Sequence, residues 1–300
     1  MTTPEKLHVV GFGWQRDGIH LEVRDAGGVG ALRKFPLEGT LRFKRLPRKL
    51  CSGWYDFEKG ERATCPDNAI PERKSQCEAC IEREGFGPWL RCDGRMIPQL
   101  KPSVRAYIEQ PHYLYLACFG DETVKVGMAS QERKFQRLWD QGPLAACFVA
   151  AAPDGITIRQ LEVEVSRLGY TEFMRRSRKV ELLKSDMTEE RAMRRLRSAL
   201  DRARAQLDDD YATLLFQDPE PVPRPTQAID ARRYSELDNL EPKDDEIIEG
   251  ELVGASGSIL VLNDRGIRST VDVYDLVGYE VEFNPVGEAK KEARQIGLFG

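Results

Sequence analysis

Five of the seven cysteines in this 300-residue chain fall between Cys51 and Cys92, in a stretch with little periodic hydrophobicity. A segment so poor in patterned apolar side chains cannot close a conventional core, so bonds of another kind must hold it. The cysteines sit among turn residues (CSGW, CPDN, CEAC), and Cys77-x2-Cys80 holds two sulfurs in one tight turn. The expectation is a tetrahedral zinc site of Cys51, Cys65, Cys77 and Cys80, with Cys92 as substitute or bystander. Four thiolates leave no coordination position for a water, so that zinc is structural. A redox pair at Cys77 and Cys80 is the competing reading, although no βαβ pattern surrounds it. Disulfides are the weakest option in a reducing compartment. Cys118 and Cys147 lie in apolar strand contexts and read as buried small hydrophobes.

The rest of the chain divides around this segment into an α+β organisation. Residues 1–50 alternate apolar and polar in short runs (LHVVGF, IHLEVR, GTLRFKRL) and read as an N-terminal β module. The cysteine segment spans 51–100, and 101–217 follows a strand, strand, helix, strand, helix pattern with added helices. Gly142 and Pro143 close its first helix, and Pro153-Asp154-Gly155 is a turn before the second. A boundary at Ser185, Thr188 and Glu189 opens one long helix or two, with Met193, Leu196 and Leu200 as the buried stripe. DPEPVPRPTQ begins an extended linker over 218–246, and 247–286 alternates as a small C-terminal β-barrel-like module before a tail at 287–300.

With 41% hydrophobic and 31% charged residues, the composition suits a modular soluble protein. No apolar run reaches the roughly 18 residues of a membrane span. The N-terminus lacks signal-peptide character, so the expected location is cytoplasmic. A net charge of −4 announces no nucleic-acid partner globally, but charge is unevenly placed. Arg33 to Lys49 and Arg175 to Arg204 are basic, whereas Leu237 to Glu251 is acidic. Each run alone reads as solvated surface, and a basic flank beside a phosphodiester site would favour a nucleic acid.

Between Tyr113 and Glu162 the chain reads YLYLACFGDETVKVGMASQERKFQRLWDQGPLAACFVAAAPDGITIRQLE. With YLY standing for GIY and KVG for YIG, roughly residues 112–170 resemble the GIY-YIG nuclease superfamily. The resemblance implies a GIY-YIG-like α/β domain and metal-assisted phosphodiester cleavage around Tyr115, Lys125, Arg137 and Glu162. Tyr115 would be the base, as a phenolate favoured by the Lys125 and Arg137 cations. Arg137 would grip phosphate in a bidentate fork, and Glu162 would hold Mg²⁺ or Mn²⁺ through a hard oxygen. Tyr113, Gly127, Arg133, Trp139 and Gln141 would contact substrate, with Gly127 letting the backbone pass beneath it. Lys125 stands where the motif has its second tyrosine. For Tyr115 and Lys125 to share a face, the turn near Asp121 must hold an odd number of residues.

Across most of its length the chain also resembles an uncharacterised family of bacterial and archaeal proteins known mainly as a domain of unknown function. The Cys-rich segment, HYLYLACFGDETVKVG, RLWDQG and the Glu162 helix carry that likeness. Trp139 to Gly142 belong to its signature, as a cleft edge or as a tryptophan capping the core before a glycine helix end. Finally, Gln295, Leu298 and Phe299 resemble the QxxLF peptide that docks bacterial repair and replication proteins on the sliding clamp. Three functions therefore stand: cleavage of nucleic acid at a metal-assisted site, noncatalytic DNA or RNA binding in the same cleft, or an enzyme acting on a small phosphorylated or amino-acid substrate.

Overall fold

The computed structural model describes residues 4–72 and 74–287. The chain opens with β1 (Glu5–Gln15), β2 (Gly18–Asp25), β3 (Val29–Pro36) and β4 (Thr40–Lys49), as the alternation predicts. The cysteine segment supplies a short hairpin, β5 (Trp54–Asp56) and β6 (Glu61–Ala63), then α1 (Glu78–Glu84), α2 (Gly87–Leu90) and α3 (Pro102–Ile108). Next come β7 (His112–Cys118), β8 (Val124–Ser130), α4 (Lys134–Trp139), β9 (Ala145–Ala152) and α5 (Gly155–Arg167), in the expected order. After these lie α6 (Arg176–Leu183), α7 (Glu189–Gln206), α8 (Asp209–Ala212), β10 (Leu215–Pro221) and α9 (Thr226–Asp230). The last strands are β11 (Asp238–Leu240), β12 (Ile247–Ser256), β13 (Ile259–Asp264), β14 (Ile267–Asp272) and β15 (Tyr279–Phe283).

The strands from the two ends of the chain do not fold apart. They form one nine-stranded sheet in the order β11-β14-β13-β12-β4-β15-β1-β2-β3, in which β15 lies between β4 and β1. That order has two edges, so the expected C-terminal barrel is instead half of an open sheet. Together the two sets of strands close one core containing Leu7, Val9, Leu21 and Phe43 from one end with Leu262, Val271 and Val281 from the other. Pairing β4 with β12 and β15 also brings the basic run onto acidic partners. Arg45 meets Asp244 at 2.8 Å, Lys44 meets Glu282 at 3.2 Å, and Arg42 pairs with Glu249. The Arg33–Lys49 excess is therefore largely matched within the fold.

A second sheet, in the order β10-β9-β7-β8, carries the motif region. One of its cores joins Leu114, Leu116, Val126 and Val149 to Ile158, Leu161 and Val165 of α5 and Leu196 and Leu200 of α7. Cys118 and Cys147 are fully buried in it, as their apolar contexts predict. Both long helices have side-chain caps: the Asp154 carboxylate accepts from Thr157 N, and the Thr188 hydroxyl accepts from Arg191 N. The proline-rich stretch departs from the linker expectation, since β10 covers the outer edge of β9 and Val222 N donates to Ala146 O. Prolines fit there because an edge strand needs only part of its N–H set.

The two sheets meet at the turn after α4. Gly142 has φ 68° and lies against the β12–β13 turn, where an added Cβ would come within 2.4 Å of Gly257 N. Ser256 Oγ donates to Gly142 O, and Trp14 Nε1 donates to Gly257 O. Among the described residues no helix is long and apolar enough to cross a membrane. Gln295, Leu298 and Phe299 lie outside the described residues.

Candidate functional site

The β7–β8 register sets the site. Cys118 pairs with Val124, leaving residues 119–123 as a five-residue connection, and Ala117 pairs with Lys125 while Tyr115 pairs with Gly127. An odd turn in regular register puts Tyr115 and Lys125 diagonally adjacent on one face. The Gly127 expectation needs correction. A Cβ there would meet Tyr115 Oη at 2.2 Å, so the glycine makes room for the tyrosine ring and not for a substrate.

Tyr115, Lys125, Arg137 and Glu162 all line one cavity of about 550 Å³, together with Gly127 and Arg133. Within a fold of two sheets they come from β7, β8, α4 and α5. Tyr115 is fully buried, and its hydroxyl accepts from Gln141 Nε2 at 2.7 Å. Burial raises its ionisation above the ordinary phenol range, opposed only in part by the Arg137 charge and the Gln141 hydrogen bond. The phenolate base expected from the sequence is thus overturned: desolvation outweighs the neighbouring cations, and Tyr115 is a neutral phenol.

Lys125 is the group whose protonation is poised. Burial, with the Arg137 charge adding to it, pushes its ammonium from the ordinary 10.5 down to about 8. Its Nζ donates to Glu172 O and Val126 O. Glu172 reaches the site because the loop after α5 runs alongside β8, with Val126 N donating to Thr171 O at 2.9 Å and Thr171 N to Val124 O at 3.1 Å. Glu162 is buried, which raises its carboxyl, and its Oε2 accepts from Arg159, which lowers it. Among the described residues, neither Lys125 nor Arg137 has a carboxylate within ion-pair distance, whereas Arg133 lies 3.5 Å from Asp140.

Two expected substrate contacts fall elsewhere. Tyr113 packs on Phe148, with ring centroids 5.1 Å apart, under the Lys134 ammonium. Trp139 joins the core of the nine-stranded sheet, and its Nε1 donates to Pro223 O at 2.8 Å. It is the core-capping alternative, followed by the Gly142 turn. Gln141 is not a lining residue but a support, bridging Tyr115 Oη and Arg137 O.

Residues outside the sequence motifs line the cavity as well: Tyr55, Phe57, Arg62, Glu84, Phe86 and Trp89 of the cysteine segment, with Tyr107, whose hydroxyl donates to Ser130 Oγ at 3.3 Å. Phe57 lies 5.2 Å from Phe86 and 4.9 Å from Tyr107, forming a continuous aromatic surface. The alternation Tyr55-Asp56-Phe57 was the available signal, hidden in a segment read only for its cysteines. Arg159, one helical turn from Glu162, carried an i,i+3 signal that the motif reading passed over.

The cysteine cluster sits at the root of that surface. The sulfurs of Cys51, Cys65, Cys77 and Cys80 lie within 4.8 Å of one another, and Cys65 and Cys77 are 3.9 Å apart. Zinc bonds of about 2.3 Å in a tetrahedron put sulfurs about 3.8 Å apart, so the four could hold that ion. Burial raises the Cys51 and Cys80 thiols, so packing four thiolates here calls for a cation to offset their charge. Backbone N–H groups of Gly53 and Cys77 point at Cys51 Sγ, a supporting shell of the sort metal-bound sulfur attracts. Membership in one four-sulfur group favours metal over a Cys77–Cys80 redox pair. Cys92 is apart from it, donating to Met96 O within the Trp89 and Val104 core. Cys51 and Cys65 flank the β5–β6 hairpin, and Glu84, one turn after Cys80, accepts from Tyr55 N at 3.0 Å.

Fold and site together define a two-sheet α+β protein with a cysteine-anchored hairpin over a cation-lined cavity. The chain belongs to the family described as Protein of unknown function (DUF2797), whose model matches residues 104–281. That match takes in Tyr107, the Lys125 wall and the start of β15, and it excludes Tyr55, Phe57, Phe86 and the four clustered cysteines. Neither the curated proteins nor the solved structures contain a match to this chain.

Two outcomes follow. Metal analysis of purified protein should give one zinc per chain, lost in Cys77→Ser and kept in Cys92→Ser; equal loss in both would break the four-ligand assignment. For Lys125, the folded state binds fewer protons than the unfolded chain between about pH 8 and 10.5. Raising the pH through that window therefore stabilises the fold. In urea unfolding, Lys125→Met should be more stable than wild type at pH 7 by on the order of 2 kcal/mol. The difference should close as the pH approaches 10.5. A difference that does not change with pH would contradict the buried ammonium.

Proposed function

We propose that this protein binds nucleic acid through the cavity and acts on a phosphodiester there. The observation that carries the reading is the meeting of Lys125 and Arg137, two cations without carboxylate partners among the described residues, with Tyr115 and Glu162 in one cavity. The buried Lys125 ammonium, with Glu162 and Glu172 acting on it only beyond ion-pair distance, favours an anionic ligand, and the exposed Arg137 offers a planar fork for phosphate oxygens. Arg133 lies at the same wall and adds a second guanidinium. The hairpin, helix, strand and helix that hold these groups follow the GIY-YIG-like order, which supports the phosphodiester over other anions.

Within this reading Tyr115 is a hydrogen-bond donor. Its hydroxyl accepts from Gln141, so its own proton is free for a phosphate oxygen. With its ionisation pushed down to about 8, the neutral fraction of Lys125 takes the proton of an attacking water, and in that state Arg137 alone holds the phosphate charge. Mg²⁺ or Mn²⁺ held by Glu162 would neutralise charge on the phosphate as a Lewis acid. Glu162 is free for that role only when Arg159 yields its hydrogen bond, and Glu172 beside it offers a second carboxylate. The Arg159 pairing favours a second reading, in which the cavity grips a phosphate without cleaving it.

Purified protein with labelled single- and double-stranded oligonucleotides and Mn²⁺ separates the two. The proposal expects cleavage that falls by a factor of about a hundred or more in Arg137→Ala and in Glu162→Gln. Undiminished cleavage in Glu162→Gln would remove that residue from the mechanism. Salt-sensitive binding without any cleavage would establish the gripping role instead.

A further inference from the structure

Of the aromatic residues lining the cavity, Tyr55, Phe57 and Phe86 lie outside the family match and Tyr107 lies within it, and none serves the phosphate contacts. Tyr55, Phe57, Phe86 and Tyr107 are each only partly buried and line the same cavity as Lys125 and Arg137. Their rings run together: Tyr55 to Phe57 at 5.0 Å, Phe57 to Phe86 at 5.2 Å and Phe57 to Tyr107 at 4.9 Å. The Arg133 guanidinium lies 6.0 Å from the centre of the Tyr55 ring, so cation and aromatic surface adjoin. Phe57, Phe86 and Tyr107 pack on one side against the Trp89 and Val104 core, and with Tyr55 they line a cavity of about 550 Å³, a volume that suits one nucleotide.

We infer that the cavity takes an unpaired nucleotide, its base stacked on the Tyr55–Phe57 surface and its phosphate on Arg137 and Lys125, so that the preferred nucleic acid is single-stranded or has the nucleotide extruded. The inference rests on the phosphate-binding reading and adds the base to it. Stacking on aromatic rings tolerates any base, because every base has a π face, so little sequence preference accompanies it. The hairpin that presents the surface is held rigidly. Cys51 and Cys65 flank it, Glu84 accepts from Tyr55 N, and Arg24 Nη2 donates to Arg62 O at 2.6 Å from the nine-stranded sheet. A base would thus meet a preformed platform.

Binding is measured by fluorescence anisotropy without divalent metal, to exclude cleavage. The probes are a labelled 12-nucleotide single strand, the same strand with abasic residues, the duplex and a mononucleotide competitor. The inference expects the intact strand to bind about tenfold or more tighter than either the abasic strand or the duplex, and expects Tyr55→Leu and Phe57→Leu to lose that advantage while binding the abasic strand as wild type does. Equal affinity for intact, abasic and duplex forms would overturn the base platform and leave the phosphate reading standing. A mononucleotide that competes as tightly as the strand would keep the platform and overturn the polymer as ligand. No binding of any probe would overturn both.

Discussion

The site depends on a single register. Five residues join β7 to β8, and that odd count puts Tyr115 against Gly127 and brings Lys125 to the same face. A slip of one residue would turn Lys125 into the α5 core and press a side chain into the Tyr115 ring. The register is defended on both faces, by Leu116 and Val126 packing toward α5 and α7 and by Tyr115 packing toward Leu138 and Phe148. The charges follow from it. Lys125 is buried and Lys179 and Asp140 are half-buried, and desolvation moves all three toward neutrality: both lysines to about 8, and Asp140 up to about 7. Clusters of this kind cost stability and are found where a fold handles charge.

Around this register the fold is arranged in two dependent layers. The nine-stranded sheet anchors the turn after α4 through Gly142 and Ser256, fixing the helix that carries Arg133 and Arg137. It also anchors the cysteine hairpin through Arg24, so one wall of the cavity is referred to the other through a common scaffold. The cysteine cluster completes that reference, since Cys51 and Cys65 flank the hairpin, and a metal held by the four sulfurs would position the aromatic surface that lines the cavity.

Local patterns were legible in the sequence where one element decides them. The β7–β8 hairpin, the turn before α5, the Thr188 start of α7 and the four-sulfur set of Cys51, Cys65, Cys77 and Cys80 all follow from spacing. Long-range pairing was not legible. Nothing in the run from Ile247 to Phe283 says that β15 inserts between β1 and β4, although the basic and acidic runs were a complementary pair in plain view. Prolines at 219, 221 and 223 suggested a linker because an edge strand and a linker share that composition. At the site, residue types identified Tyr115, Lys125, Arg137 and Glu162, but burial decided their states. Counting cations predicted a phenolate; the loss of water around Tyr115 outweighs them. Trp139 and Tyr113 were misplaced because an aromatic beside a motif reads alike whether it packs inward or outward.

Everything proposed for the cavity turns on Lys125 being a desolvated amine open to an anionic ligand. The most direct measurement is the rate of reductive methylation of Lys125 against pH, read by mass spectrometry with and without a single-stranded oligonucleotide. The account predicts a midpoint near 8 for the free protein and strong protection by the oligonucleotide. A midpoint in the ordinary lysine range, or a rate indifferent to the oligonucleotide, would contradict it.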